Sequence, residues 1–421
     1  MKSVGSSLGS LFSAPSTERI FRRNLLVLLG WEGMWGCGLA FVAPPVVNAL
    51  LQLTDSRTLV GLAYLAHVAS LPALLPAAML NQRLRSRRQF IAGLHAIIGL
   101  LYALMGVVVW LLWQQPAVAI LLLFTLLALT WLTFGALIAP AFELFSILFG
   151  RRYGTVSGWQ FFVHRIAGVI GGLIATWLLA AWAWPTNFTL VFVLGGIVIM
   201  LGNLIILGVA EPAATPRTTF KSLRAFTYAL AEQVARNRDF TRLLVVIALT
   251  GLLQSVLNFY SVYAFDAVAV PLAAAGVLAA VGSIASAFGA LLGGPVGDNK
   301  GHRALMRIAL AVYVVSLLLL VPAWQPAFYA AWILGNAALF AMMIARINLT
   351  MDLAPAGDKG TYTMVAYLVA QPTLGLSAVG AGALIDIAGY LPFFAVTLVL
   401  TLLALSVTFS FKDPRLAPDY T

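Results

Sequence analysis

Charge is what this chain has least of. Only 9% of its 421 residues are Asp, Glu, Lys or Arg, and just 14 residues are acidic. A domain surrounded by water carries roughly a quarter charged residues, so a soluble enzyme is excluded. Cysteine is nearly absent too. Cys37 stands alone, and one cysteine cannot close an intrachain disulfide, which removes a disulfide scaffold. The chain also lacks a Walker loop, zinc-ligand spacing, a Ser-His-Asp ordering and a Gly-rich dinucleotide turn. No cofactor and no metal are expected, and the chain does not read as an enzyme. Disorder is excluded from the other side, because 62% of the residues are apolar.

What is present is a series of long uncharged runs. Residues 89–142 contain no Asp, Glu, Lys or Arg, which is too long for one helix, and Gln114-Gln115-Pro116 divides them. The run 166–210 divides at Trp184-Pro185-Thr186-Asn187, and 308–345 divides between Pro322 and Pro326. Single runs fill 58–82, 243–265, 267–297, 360–385 and 387–411, and a last one reaches from Asn24 to about Leu50 around Glu32. At roughly 20 residues per crossing, this predicts an all-α integral membrane protein with twelve transmembrane helices. Residues 24–210 and 242–411 form two six-helix bundles, 1–23 and 412–421 are tails, and 211–241 is a linker. In that linker Phe220, Leu223, Phe226 and Leu230 recur at helical spacing beside Arg217, Lys221 and Arg224, the pattern of an interfacial helix lying on anionic lipid.

The net charge of +11 is explained by topology. Of 25 Lys and Arg residues, 23 fall on the face that holds the linker, the exceptions being Arg57 and Arg165. Such asymmetry marks the cytoplasmic face, so both termini are expected there, in an inner membrane. Nucleic acid is not a partner on this reading. The partners are the lipid bilayer and a small-molecule substrate, and the protein is a monomer.

An internal repeat refines this. The stretch from Gly294 through Asp298, Lys300 and Gly301 to Arg303 forms a short turn between two crossings, and residues 78–87 occupy the same place 216 residues earlier. Arg151-Arg152-Tyr153-Gly154-Thr155 is echoed by Asp358-Lys359-Gly360-Thr361. Corresponding loops in two halves suggest duplicated, pseudo-symmetric bundles around a central cavity. The pattern resembles the major facilitator superfamily of secondary transporters, whose cytoplasmic signature is a Gly, three residues, an Asp, a basic or polar pair, a Gly and further basic residues. Gly294, Asp298, Gly301 and Arg303 match it, while the first-half copy has Ala78 and Gln82 in place of Gly and Asp. The resemblance implies alternating access, with Asp298 latching a cytoplasmic gate and a weaker latch in the first half where Gln82 replaces the acid. Residues 167–172 are similar to the Gly-Pro-x-x-Gly-Gly of drug-proton antiporters without its proline, and close helix packing is the plainer reading of those small residues.

Ionisable groups inside a bilayer need a partner or a wet cavity. Glu32, His67 and Arg165 lie about 14, 15 and 16 Å from the nearer face, at about 1.5 Å per residue. The resemblance places all three on helices of one bundle that can meet, and a Glu32 to Arg165 pair is expected. Two readings of it stand: a static pair that holds the bundle, or a proton- or substrate-linked pair on the pathway. The second half offers uncharged groups, Gln254, Asn258, Asn336 and Gln371, and Trp35 with Trp31 and Trp131 supplies apolar walls. Glu143 and Asp352 precede Arg151-Arg152 and Lys359, so gate-side salt bridges, Arg152 included, are expected. Together these readings predict a secondary active transporter that moves a small organic solute by alternating access, with proton-coupled efflux. The solute is amphiphilic or anionic, since Arg165 is the one cation read as buried. The alternatives are a receptor or assembly factor that keeps the fold without transport, and an uncoupled facilitator.

Overall fold

The computed structural model describes residues 16–56, 59, 62–63, 65–212, 220–254, 256–271 and 274–416. Every regular element among them is helical. Helices α1 (Ser16–Ala40) and α2 (Ala43–Leu53) run in succession, broken at residues 41–42. Pro44 and Pro45 sit in the first turn of α2, where a missing N–H costs no intrahelical bond. After the 3₁₀ turn Ala66–Ser70 come α3 (Leu71–Asn81), α4 (Arg87–Leu112), α5 (Pro116–Phe149), α6 (Tyr153–Ala181) and α7 (Thr186–Ile206). The linker holds α8 (Leu223–Arg236). The second half comprises α9 (Arg238–Gln254), α10 (Val256–Asp266), α11 (Ala275–Lys300), α12 (His302–Leu318), α13 (Gln325–Leu353), α14 (Lys359–Ala388) and α15 (Tyr390–Val407).

Eight helical runs among the described residues are long and apolar enough to cross a bilayer, and one of them, Pro116–Ala181, contains both α5 and α6. The sequence-based number of twelve also includes shorter helices, such as Ala66–Asn81 and the 17-residue α12. Apolar side chains face outward along these helices, with Leu204 68% and Ile387 85% exposed, as a hydrocarbon solvent allows and water does not.

Packing between helices relies on missing side chains. A Cβ on Gly36 would strike the His164 carbonyl, and one on Gly171 the Cys37 carbonyl, so α1 and α6 touch backbone to backbone. Gly171 belongs to the 167–172 run, which therefore serves close packing. Gly99 and Gly196 do the same for α4 and α7, and Gly158 and Gly294 for α6 and α11. One core is drawn from residues 240–411 alone, and a second, nearest the basic loops, collects α1, α3, α5 and α6 with Ile347, Met351 and Met364 of the other half.

Three expectations need correction. The apolar stripe of α8 is buried in the protein, since Phe226 and Leu230 are 2% and 7% exposed within the second core, so that face does not lie on lipid. Residues 16–23 are the first turns of α1 and not a free tail. Helix α13 runs past the end of the uncharged 308–345 run to Leu353, so Arg346 lies inside a long helix.

Candidate functional site

Residues 153, 160 and 164 of α6 recur at spacings of seven and four, which stacks them on one helical face against α1. On that face Glu32 is 6% exposed. Its Oε1 accepts from Gln160 Nε2 at 2.5 Å and its Oε2 accepts from His164 Nδ1 at 3.0 Å. The Tyr153 hydroxyl donates to Gln160 Oε1 at 3.4 Å, extending the chain of contacts toward the basic end. The expected Glu32 to Arg165 pair does not form. One residue along a helix is a rotation of about 100°, so when His164 faces α1, Arg165 is turned to the other half. There its guanidinium lies over the Phe340 ring at 4.1 Å from the centroid. Arg165 is also not the one interior cation, because Arg346 of α13 is half-buried as Arg165 is. Tyr367 of α14 lies within electrostatic reach of both Arg346 and Glu32, linking charges of the two halves.

His67 meets the second half directly. Its Nε2 donates to the Gln371 backbone carbonyl at 3.2 Å, while Gln371 Oε1 is buried without a hydrogen-bond partner. Asn336 turns inside its own half, accepting from Ser286 Oγ at 3.4 Å and donating to the Trp332 carbonyl at 2.9 Å. Trp35 packs edge-on against His95 at 4.6 Å, a contact within the first bundle. Gln254 lines a small cavity with Thr250 and Arg346. The side chain of Asn258 lies outside the described residues.

At the basic end the halves are joined by carboxylates set against helix starts. Asp298, near the end of α11, accepts from Thr155 N at 2.6 Å and Thr155 Oγ1 at 2.7 Å, in the first turn of α6. An anion there is favoured by the helix dipole and satisfies donors that have no intrahelical acceptor. Glu143 of α5 does the reciprocal thing, accepting from Gly360 N at 2.8 Å in the first turn of α14. The expected weaker latch at Gln82 is thereby answered from another helix: Gln82 Oε1 is buried and unpartnered, and Glu143 supplies the missing carboxylate. Between these two contacts Ser157 Oγ accepts from Asn348 Nδ2 at 3.2 Å, again across the halves.

The cation of this cluster is one that the repeat did not mark. Arg415 folds back from the tail, donates from Nε and Nη2 to Asp352 at 2.7 and 3.1 Å, and from Nη1 to Asp298 at 2.7 Å. Its Nη1 also donates to the Arg151 carbonyl at 2.9 Å, tying the tail to the first half. Burial opposes the charge of Arg415, but Asp352 and Asp298 outweigh that and raise its pKa. The 412–416 segment therefore belongs to the cluster that joins the halves at the basic end and is not a free tail. Asp413 holds it in place by accepting from Arg303 N at 2.9 Å, and the Arg303 guanidinium donates to the Phe411 carbonyl. Gly301 makes this possible with φ of +88° and no side chain where Asp413 sits. Arg152 pairs instead with Glu18 at 3.6 Å and covers the Phe21 ring, so it anchors α1 and does not bridge to Glu143. Asp352 likewise meets Arg415 where Lys359 was expected. His164, beside Arg165 in the sequence, is the other group able to neutralise Glu32 and is the one that meets it, whereas Gln160 and the contact made by Thr155 were not anticipated. Spacing from Glu32-facing positions of α6 could have found Gln160, but nothing in the sequence points to Arg415.

Residues 243–419 match the family model described as Major Facilitator Superfamily. No curated protein sequence matches the chain. Among solved structures, a bacterial homologue of the iron transporter ferroportin in its outward-facing state aligns with a TM-score of 0.72 at 15% identity, covering 93% of this chain and 99% of that one. The human organic anion transporter MFSD10 aligns with a TM-score of 0.69 at 13% identity, covering 94% and 100%. The Escherichia coli fucose:proton symporter gives 0.69 at 15% identity, covering 92% and 97%. At these identities the likeness is one of fold.

Proposed function

We propose that the chain is a member of the major facilitator superfamily and that it is a secondary active transporter that exports a small amphiphilic or anionic organic solute by alternating access, coupled to protons. The face bearing 23 of the 25 basic residues is assigned to the cytoplasm, with both termini there and the chain working as a monomer in an inner membrane. The observation that carries the reading is the construction of the barrier at that face. Asp298, Glu143 and Arg415 hold helix ends of the opposite half, while one core is built from residues 240–411 alone. Such contacts can part without dismantling the second half, which is what alternation between two states needs.

Above that barrier Glu32 and His164 form an acid and base in contact at mid-depth, on the helices α1 and α6 that pack together through glycines. A carboxylate held by one imidazole and one amide has a neutral alternative, because protonated Glu32 still fits beside Gln160 and His164. Proton release and uptake there would change how much charge the central region carries, and with it the fit of a charged solute.

The test uses protein reconstituted in liposomes with an imposed pH gradient and a panel of labelled organic anions. The wild type should accumulate a solute against its gradient. Folded Glu32→Gln should bind that solute and equilibrate it without accumulation. Wild-type flux that ignores the pH gradient would make the protein an uncoupled facilitator, and binding without flux would make it a receptor.

A further inference from the structure

Arg346 stands apart from the other arginines inside the protein. Arg87 is matched by Glu211 at 3.9 Å, Arg415 by two aspartates, and Arg165 lies over an aromatic ring. The Arg346 guanidinium makes no hydrogen bond and no ion pair among the described residues, and Tyr367 is its electrostatic neighbour. It faces a small cavity between α9 and α13, lined also by Thr250, Gln254, Leu339, Met342 and Met343. No carboxylate lines that cavity.

A guanidinium carries five donors and no acceptor, and leaving them unmatched away from bulk water is costly. The lining offers only neutral acceptors to match them, the Gln254 amide oxygen and the Thr250 hydroxyl, and no negative charge. The Thr250 hydroxyl is committed to the Val246 carbonyl at 2.8 Å. The Gln254 amide lines the same cavity, and its NH2 can donate beside the cation. The remaining walls are a leucine and two methionines, flexible and apolar. The open space of about 30 Å³ takes a group of a few atoms. Cation, amide donor and apolar walls together describe a receptor for a small anionic head on a hydrocarbon body.

We infer that Arg346 and Gln254 seat the anionic group of the solute, a carboxylate or sulfonate monoanion whose hydrocarbon part lies along Leu339, Met342 and Met343. This rests on the transporter reading and narrows it to a solute class and to a residue one step past the uncharged 308–345 run. It also joins the two chemistries of the centre. Tyr367 is within reach of both Arg346 and Glu32, so an anion arriving at Arg346 alters the field at the Glu32 and His164 pair.

The experiment is calorimetric titration of the purified full-length protein with benzoate and with its neutral analogue benzamide. Benzoate should bind at least tenfold more tightly than benzamide, and Arg346→Gln should weaken benzoate at least tenfold, with Arg346→Lys between. Lys221→Gln, on an exposed basic side chain, should leave the affinity unchanged. Should Arg346→Gln fail to fold, Gln254→Leu provides the second reading, with an expected severalfold loss. Equal affinities for benzoate and benzamide, absence of benzoate binding, or wild-type affinity in the variants would overturn the assignment. Labelled benzoate flux in liposomes separates the two levels. Arg346-dependent binding without flux keeps the anion seat and removes the transporter reading, whereas pH-driven flux of another solute without benzoate binding does the reverse.

Discussion

Replacing Arg415 by Gln puts the gate to its most direct test. The change removes two bonds to Asp352, one to Asp298 and one to the Arg151 carbonyl, and it strands two carboxylates. The three side chains are 6%, 9% and 12% exposed, so solvent repairs little of the loss. Removing one partner of a buried ion pair typically costs roughly 3 to 5 kcal/mol. The lower figure applies here, since Asp298 keeps both Thr155 donors and His302 stays 4.0 Å from Asp352. A cost of about 3 kcal/mol borne by the closed state moves the closed-to-open ratio by about a hundredfold. Ser157, fully buried and bonded to Asn348 across the halves, reports that ratio once it is replaced by cysteine in a Cys37→Ser background. In inside-out vesicles, alkylation of this cysteine by a membrane-impermeant maleimide should be at least tenfold faster with Arg415→Gln. The rate follows the opening equilibrium until opening itself becomes limiting, which is why the rate gain falls short of a hundredfold. Arg415→Lys keeps the charge but loses the fork and should fall between. An unchanged alkylation rate in Arg415→Gln would refute the reasoning, because the tail would then lie on the gate without holding it.

Other variants probe neighbouring contacts. Glu143→Gln takes a charge from the first turn of α14 and should cost about 0.5 to 2 kcal/mol, seen as a lower melting temperature and faster amide exchange at residues 359–363. Gly294→Leu forces a side chain into the Gly154 carbonyl and should cost about 1 to 3 kcal/mol with faster alkylation at position 157, whereas normal closure would show that α6 and α11 can separate freely. A cysteine at Ser222, at the start of α8, should resist impermeant reagents in intact cells, and strong labelling would reverse the orientation.

The depth of a residue could be read from the sequence, but its direction around the helix could not. Counting from charged ends put Glu32 and Arg165 at one level, and the helices carry both there. Which neighbour meets Glu32 depends on a single residue step on α6, because His164 and Arg165 differ by about 100° while sharing a depth to within about 1.5 Å. Pro322 and Pro326 marked the break between α12 and the start of α13, although Pro76, Pro140, Pro295 and Pro372 lie inside helices, so a proline alone does not end one in this chain. The end of α13 lies past the uncharged run because Arg346 is tolerated within the helix, where a cavity accepts its head, and that depends on tertiary structure. Arg415 was illegible because the short segment after α15 carries no periodic signal, and its partners come from α11, α13 and the turn before α6.

The repeat also misled in a way that explains how the gate is built. Symmetry alone would have Asp298 hold α6 and its counterpart at Gln82 hold α14, and the second acid is absent. Yet both helix starts meet a carboxylate, because each needs an acceptor for its first N–H groups when it is packed out of water. Glu143 meets that need from α5, so the two seals differ in their attachment: Asp298 sits at the tight turn between α11 and α12, and Glu143 inside a 34-residue helix. Only the Asp298 seal is reinforced by Arg415 and approached by His302 at 3.5 Å. The two sides of the barrier therefore need not loosen together. Disturbing the Arg415 cluster acts on α6 and α11, the helices that flank Glu32 and its partners, while the Glu143 contact acts on α14, which carries Tyr367 and Gln371.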